Sequence, residues 1–411
     1  MATDARPKVF VTRRVPARGI DLLKDKFVVS QWDREDRIPP EELLRGVKGV
    51  DALFCLLTDK IDKDVLDEAG PQLKTICTMS VGYEHIDISE CKKRNIPVGF
   101  TPDVLTNATA ELTMSLLLAT SRRLKEAMTA VEDGSWGTWN PIWMLGHGLD
   151  GATVGIVGLG RIGLAVAKCL LSFGVSRIVY SGNSQSKNAQ EVNAEFVSFD
   201  YLLEHSDFIL GCCSLTANNM GLFNAEAFNK MKTSAIFVNT SRGGLVNQDD
   251  LYNALKSGKI AGAGLDVTNP EPLPTDSPLL TLSNCLVLPH IGSATEKARS
   301  AMSELTARNI IAYCHTDDDT CVKQLDGCVV YLDTCIKHLD GYVVYLDTCA
   351  KQLDGCVVYL DTCIKHLDGY VVYLDTGVKP LDGCVVYLDT WHLDMWVYLD
   401  TGKALDGYVV Y

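Results

Sequence analysis

Three islands in the second half of the chain hold side chains that could do chemistry together. In IFVNTSRGGLVN, Arg242 follows a strand-like run and is itself followed by two glycines, which suits a guanidinium presented at the carboxyl end of a sheet strand. In GLDVTNPEPLP, Asp266 closes another apolar run and Glu271 stands between two prolines. In LVLPHIGSAT, His290 comes directly after Pro289 and just before a helix-like stretch. An imidazole with an ordinary pKa of about 6.5 can hand over a proton near neutrality, and a neighbouring carboxylate raises that pKa and fixes the tautomer. Glu271 is the best candidate for that carboxylate. Reduction of a keto acid needs a proton donor for the developing alkoxide and a cation for the carboxylate; His290 and Arg242 supply the two. Taken singly, His290 reads as a satisfied loop histidine and Arg242 as a surface ion-pair partner. His85, His147 and His205 have no comparable setting and are read as structural or solvent-facing.

A fourth island supplies what the other three lack. In TVGIVGLGRIGLAVAKCL, Gly158, Gly160 and Gly163 stand at G-x-G-x-x-G spacing after an apolar strand and before a helix. The first glycine permits a tight turn, the second lets a pyrophosphate approach the backbone, and the third lets helix pack closely on strand. The amides at the helix start, with Arg161 and Ile162 between the glycines, then face the phosphates. A dinucleotide is therefore the expected cofactor. An acidic residue at the end of the next strand would hold the ribose 2′-OH and repel a 2′-phosphate. Here the strand RIVYSG runs into Tyr180-Ser181-Gly182-Asn183-Ser184, with no carboxylate. Ser181, Asn183 and Ser184 can donate to a phosphate, and Arg161 or Lys187 could add charge, so NADP(H) is preferred and NAD(H) is the alternative. No arginine sits in the turn itself.

The elements that must position these groups alternate along residues 1–314. The runs KVFVT (Lys8 to Thr12), ALFCLL (Ala52 to Leu57), KTICTM (Lys74 to Met79) and IPVGF (Ile96 to Phe100) read as strands between helices, which is the grammar of a parallel α/β sheet. A long helix is predicted from Asn107 to Ala127 with Thr106 as its N-cap. A tryptophan-rich loop, Ser135 to Gly148, follows, and a second alternation starts at Thr153, so two α/β domains fit better than one. The 411 residues allow two to three domains at roughly 150 residues each.

Composition excludes several classes. A net charge of −14 argues against sequence-independent nucleic-acid binding. No apolar leader and no run of 18 or more apolar residues appears, so a cytoplasmic protein without a membrane span is expected. The fifteen cysteines include no C-x-x-C pair, so no zinc-ribbon or other metal site is expected and free thiols are the reading.

From Thr320 onward the chain changes character. A unit reading TCVKQLDGCVVYLD recurs with period 14 from Thr320, Thr334, Thr348, Thr362 and Thr376, then in a shortened copy at Thr390 and a partial one at Thr401. Residues 323–348 and 351–376 are identical, which fits a recently duplicated block without selected function better than long-diverged structural repeats. Residues 315–411 contain 16 Asp and 6 Lys, with no Glu or Arg, and so carry most of the net charge. The Asp-Gly turn signal and the CVVYL run would allow β-hairpins or a stacked meander, or the tail is disordered. An assembly module that builds filaments is the functional alternative.

These islands resemble the D-isomer-specific 2-hydroxyacid dehydrogenase family, most closely its glyoxylate reductase/hydroxypyruvate reductase branch. The motifs are TMSVGYEHID (Thr78 to Asp87), TPDVLTNATAELTMSLLLA (Thr101 to Ala119), GIVGLGRIG (Gly155 to Gly163), NTSRGGLVNQDDLYNAL (Asn239 to Leu255), AGLDVTNPEPLP (Ala263 to Pro274) and LPHIGSAT (Leu288 to Thr295). The resemblance implies a Rossmann-type cofactor domain inserted in a flavodoxin-like split substrate domain, with the active site in the cleft between them. The expected division is 1–105 substrate domain, 106–293 cofactor domain, 294–316 a helix returning to the substrate domain, and 317–411 the repeat tail. It implies His290 as proton donor, Glu271 as its partner and Arg242 as ligand of the substrate. Val81 and Gly82 would offer amides to the substrate carboxylate, and Ser293 would close over it. Ser214, Thr240 and Gly292 would line the cofactor, with Asp266 holding the nicotinamide amide. Family members dimerise through the cofactor domain, so a homodimer is expected, with Trp139 and Trp143 resembling the element that reaches the partner; on sequence alone they are equally well core residues.

The implied activity is NADPH-dependent reduction of glyoxylate and hydroxypyruvate to glycolate and D-glycerate, small 2-oxo acids being the substrates. A broader 2-oxoacid reductase and a dinucleotide-sensing, corepressor-like interaction protein are the alternatives. One departure stands out. Family chains continue past the helix resembling Thr306 to Cys314 with a segment returning to the substrate domain, whereas this chain turns into the repeat, which is expected to weaken interdomain packing.

Overall fold

In the computed structural model the described residues are 5–315, together with the backbone of six short strands further on. The chain divides into two units, Met1–Pro102 with Ser300–Tyr411, and Asp103–Arg299. The unit boundaries thus fall at 102/103 and 299/300, where the sequence placed them at 105/106 and 293/294.

The first unit is built from β1 (Lys8–Val11), β2 (Val28–Gln31), β3 (Ala52–Cys55), β4 (Thr75–Thr78) and β5 (Val98–Gly99), alternating with α1 (Ala17–Lys24), α2 (Pro40–Gly46), α3 (Lys63–Ala69) and α4 (Ile88–Lys93). All five strands pair in parallel in the order β2-β1-β3-β4-β5, the flavodoxin-like order. Every residue of β3 and β4 is buried, as expected for parallel strands covered on both faces. The sequence reading missed β2, a half-buried edge strand whose run VVSQ carries no apolar alternation. Asp62 and Asp87 cap α3 and α4, accepting from the Val65 and Glu90 amides at 3.3 and 3.0 Å.

In the second unit the helices are α5 (Thr106–Ser121), α6 (Leu124–Glu132), α7 (Arg161–Leu171), α8 (Phe199–His205), α9 (Ala225–Lys230) and α10 (Gln248–Lys256). The strands are β6 (Thr153–Val157), β7 (Arg177–Ser181), β8 (Glu195–Phe196), β9 (Phe208–Gly211), β10 (Ile236–Asn239), β11 (Gly262–Leu265) and β12 (Cys285–Val287). They form one parallel sheet in the order β12-β11-β10-β9-β6-β7-β8. The order reverses between β6 and β9, the switch point at which doubly wound sheets bind ligands. Apolar residues fill both faces: Phe223, Phe228 and Phe237 lie on one and Val166, Leu170 and Leu210 on the other.

The predicted long helix is two helices. Arg123 adopts φ +55° and ends the continuity, its guanidinium turned to Glu126 at 2.6 Å and to the Leu145 carbonyl. Thr106 lies inside α5, and Leu105 occupies the N-cap without a side-chain bond. After β12, α11 (Glu296–His315) opens with Thr295 Oγ1 accepting from the Ala298 amide at 3.1 Å. Its later turns pack within the first unit, where Ser303 donates to the Pro16 carbonyl and Asn309 to the Phe100 carbonyl, at 2.8 and 3.0 Å. No helix of the described residues is long and apolar enough to cross a membrane, and their eight cysteines are free thiols.

Beyond α11 the described strands are β13 (Tyr331–Asp333), β14 (Val344–Asp347), β15 (Val357–Asp361), β16 (Val371–Asp375), β17 (Val385–Leu388) and β18 (Trp396–Asp400). They pair in parallel between alternate copies, β13-β15-β17 and β14-β16-β18, with Tyr331 opposite Tyr359. The pairing thus joins alternate copies rather than neighbouring ones in a hairpin, and along β13-β15-β17 each residue faces the one 28 positions further on. The rest of the repeat, and with it the expectation of disorder, lies outside the described residues.

Candidate active site

Within the second unit the residues singled out from the sequence lie at or beyond the carboxyl ends of β6, β7, β9, β10, β11 and β12. After β6, Gly158 takes φ +97°, and a Cβ there would come within 2.7 Å of the Cys213 backbone. A Cβ on Gly163 would collide with the Gly158 carbonyl, so this glycine sets the approach of α7 to the loop. Gly160 has open space where a Cβ would be, and it caps α7 without a side chain. The first-turn amides at Arg161, Ile162 and Gly163 are thus left for an external acceptor, which is what a pyrophosphate requires. Arg161 itself pairs with Asp103 at 2.7 Å, both more than half exposed.

Past β7, Gly182 to Gln185 are exposed and none is acidic, and Asn183 and Ser184 lie in this open turn. Ser181 is buried and its carbonyl accepts from the Gly158 amide at 2.8 Å, tying the turn to the phosphate loop. Ser214 is exposed after β9, while the Thr240 hydroxyl is buried against that of Thr113 at 2.8 Å.

Arg242 follows β10 in a turn shaped by Asn239, a wholly buried side chain that accepts from the Ser241 amide at 3.1 Å and donates to the Arg242 carbonyl at 2.9 Å. A Cβ on the next residue, Gly243, would run into the Thr268 carbonyl, so only glycine lets this turn lie against the segment that carries Glu271. Arg242 Nη1 donates to the Ser241 carbonyl at 2.8 Å.

His290 and Glu271 meet. Nδ1 of the imidazole lies 2.9 Å from Glu271 Oε2, and Oε1 of the same carboxylate accepts from the Thr268 amide at 2.9 Å. The two side chains are 25% and 31% exposed, so the pair stays half sheltered. Burial pushes the Glu271 carboxyl up, but the hydrogen bond and charge of His290, the Thr268 amide and the Arg242 charge outweigh it and hold the group below the ordinary glutamate value. An ionised Glu271 requires Nδ1–H as its donor, which fixes the tautomer.

Asp266 does something the sequence did not reveal. Its backbone carbonyl accepts from the His290 amide at 2.8 Å, Oδ1 from Ile291 at 2.8 Å and Oδ2 from Gly292 at 2.8 Å. One residue therefore fastens three successive amides and holds His290 at φ +55°, a left-handed backbone uncommon for a non-glycine residue. Burial pushes the Asp266 carboxyl up despite these amides and the His290 charge. Arg299, whose own value burial lowers, adds a cation near Asp266. Ser293 is the next residue of this loop and is part-exposed. Asn239 and Thr268 lie within motifs read from the sequence but carried no role there, and Arg299 lies outside those motifs; the Asn-x-Ser turn signal in NTS is the trace Asn239 left in the sequence.

Val81 and Gly82 belong to the first unit, in the loop after β4. Among the described residues neither of their amides donates a hydrogen bond within the protein. Two adjacent unspent donors at the carboxyl end of a parallel sheet suit an anion. Among the described residues no cluster of side chains is arranged to hold a metal ion.

A parallel sheet of Rossmann order, an open glycine phosphate loop and a carboxylate-held histidine define a nicotinamide-dependent oxidoreductase. Residues 114–292 match the D-isomer specific 2-hydroxyacid dehydrogenase, NAD binding domain, and the chain belongs to the D-isomer-specific 2-hydroxyacid dehydrogenases. It is 57% identical over 308 residues to the glyoxylate reductase/hydroxypyruvate reductase of Homo sapiens, covering 74% of this chain and 94% of the relative. It is 46% identical to the glyoxylate reductase of Thermococcus kodakarensis, covering 75% and 93%. Among solved structures, an NADPH-dependent glyoxylate/hydroxypyruvate reductase from Sinorhizobium meliloti, in complex with NADP and malonate, superimposes with a TM-score of 0.65 at 31% identity, covering 76% of this chain and 95% of the other.

Proposed function

We propose that this chain reduces glyoxylate and hydroxypyruvate to glycolate and D-glycerate, with NADPH as the preferred hydride donor and NADH as the alternative. The observation that carries the reading is the His290–Glu271 pair, 2.9 Å apart and held half-buried on the loop that Asp266 fastens. A bound nicotinamide dinucleotide supplies the hydride. His290 in its imidazolium form gives the Nε2 proton to the substrate's keto oxygen, and Glu271 keeps Nδ1–H in place and offsets the charge. Arg242 takes the substrate carboxylate or carbonyl, with Val81 and Gly82 offering amides to the carboxylate and Ser293 beside it. Gly158, Gly160, Arg161, Ile162 and Gly163 take the pyrophosphate, Ser181, Asn183 and Ser184 the 2′-phosphate, and Ser214, Thr240, Asp266 and Gly292 line the remainder. The absence of a carboxylate after β7 supports NADPH, because nothing there repels a 2′-phosphate. Incubated with hydroxypyruvate and NADPH, the protein should yield D-glycerate; L-glycerate, or no glycerate at all, would refute the assignment.

We propose further that the second unit pairs with its counterpart in a homodimer. The support is a contiguous run of exposed apolar side chains, Trp136 (63%), Trp139 (83%), Ile142 (77%) and Trp143 (42%), more than a monomer's surface usually carries in one loop. Sedimentation should give a dimer that Trp139→Glu converts to monomer, and a wild-type monomer would exclude it.

A further inference from the structure

Within the first unit an unbroken file of side-chain hydrogen bonds runs from a histidine to the loop of Val81 and Gly82. His85 Nε2 lies 3.0 Å from Thr78 Oγ1, Thr78 Oγ1 lies 2.8 Å from Ser80 Oγ, and Ser80 Oγ donates to the Gly82 carbonyl at 2.7 Å. Thr78 and Ser80 are 0% and 3% exposed, so water does not complete these bonds for them. The direction of every bond follows from counting protons. The Gly82 carbonyl can only accept, so the single Ser80 hydroxyl proton is spent on it. Ser80 Oγ must then accept from Thr78, which spends the Thr78 proton in turn. At the far end Thr78 Oγ1 can only accept, and His85 must present Nε2–H. That proton is carried by the Nε2–H tautomer and by the imidazolium alike, so the file keeps one direction in both charge states.

We infer that His85, Thr78 and Ser80 are positioning residues that set the Val81–Gly82 amides for an anionic substrate group. Backbone bonds hold both ends of the loop: the Met79 amide donates to the Cys55 carbonyl and Thr101 to the Ser80 carbonyl, both at 2.9 Å, and Ile86 donates to the Tyr83 carbonyl at 3.0 Å. Between these anchors the Gly82 carbonyl is held by Ser80 Oγ, and releasing that carbonyl would free rotation at Gly82, directly beside the two amides. Bonds in such a file polarise one another, so loss of any member weakens the rest.

The substrate side of this inference rests on the reading of Val81 and Gly82 as the carboxylate-binding amides, and the experiment separates the two. In the full chain loaded with NADP, amide hydrogen exchange at Val81 and Gly82 is measured by NMR, with and without oxamate as the carboxylate probe. Ser80→Ala and Thr78→Val should raise exchange at both amides and raise KM for glyoxylate by roughly three- to tenfold, about what one lost hydrogen bond accounts for. kcat and the Kd for NADPH should stay within about twofold. His85→Gln, which keeps an N–H donor near the Nε2 position, should behave as wild type, whereas His85→Leu should behave as Thr78→Val. Unchanged exchange in Ser80→Ala and Thr78→Val, or equal impairment of His85→Gln and His85→Leu, would overturn the file as a positioning device. Raised exchange in the variants, with wild-type amides that oxamate leaves unmoved, would instead overturn the carboxylate reading alone.

Discussion

The proposed reduction rests on one carboxylate that stays ionised although it is half-buried. Glu271 is held below the ordinary glutamate value because His290, the Thr268 amide and Arg242 together exceed the cost of its burial. For a carboxyl whose folded pKa is depressed, the stability it contributes is complete above the unfolded pKa and is lost as pH falls through the folded one. Glu271→Gln should therefore lower the Tm most near neutrality, and the gap to wild type should close as acid titrates the wild-type carboxyl. A gap that widened on acidification would mean that Glu271 is not paired as described. The same substitution should cost about ten- to a hundredfold in kcat by freeing the imidazole from its tautomer, less than removal of the proton donor itself.

Each element ends where its chemistry begins, and this is where glycine enters. Gly243→Ala should push the Arg242 turn off the Thr268 carbonyl, destabilise the protein by about 1–3 kcal/mol and raise KM for glyoxylate more than it lowers kcat; an unchanged KM would place Arg242 outside the substrate site. Much at this scale was legible beforehand. The runs at Lys8, Ala52, Lys74 and Arg177 became β1, β3, β4 and β7 because buried parallel strands are continuously apolar. The glycines of the phosphate loop stood out because spacing alone identifies them. What stayed hidden was tertiary: β2 has no alternation to read, the break at Arg123 depends on partners at Glu126 and Leu145, and the hold of Asp266 on the His290 loop joins residues 25 and 26 apart. His85 read only as structural or solvent-facing because its partner, Thr78, is an ordinary residue at the end of β4 with no motif to link the two.

For the whole molecule, every residue given a role lies before Thr320, where the repeat begins, and the human relative aligns over 308 residues, 74% of the chain. The central claim is that His290 is the proton donor of an NADPH-dependent reduction, and that the first 319 residues suffice for it. The most direct test is steady-state oxidation of NADPH and NADH with glyoxylate and hydroxypyruvate, on the full chain, on residues 1–319, and on His290→Ala. Both lengths should turn over both substrates, faster with NADPH. His290→Ala should bind NADPH normally and lose about 10²- to 10⁴-fold in kcat. Undiminished turnover in His290→Ala, or bound NADPH with no turnover in either length, would contradict it.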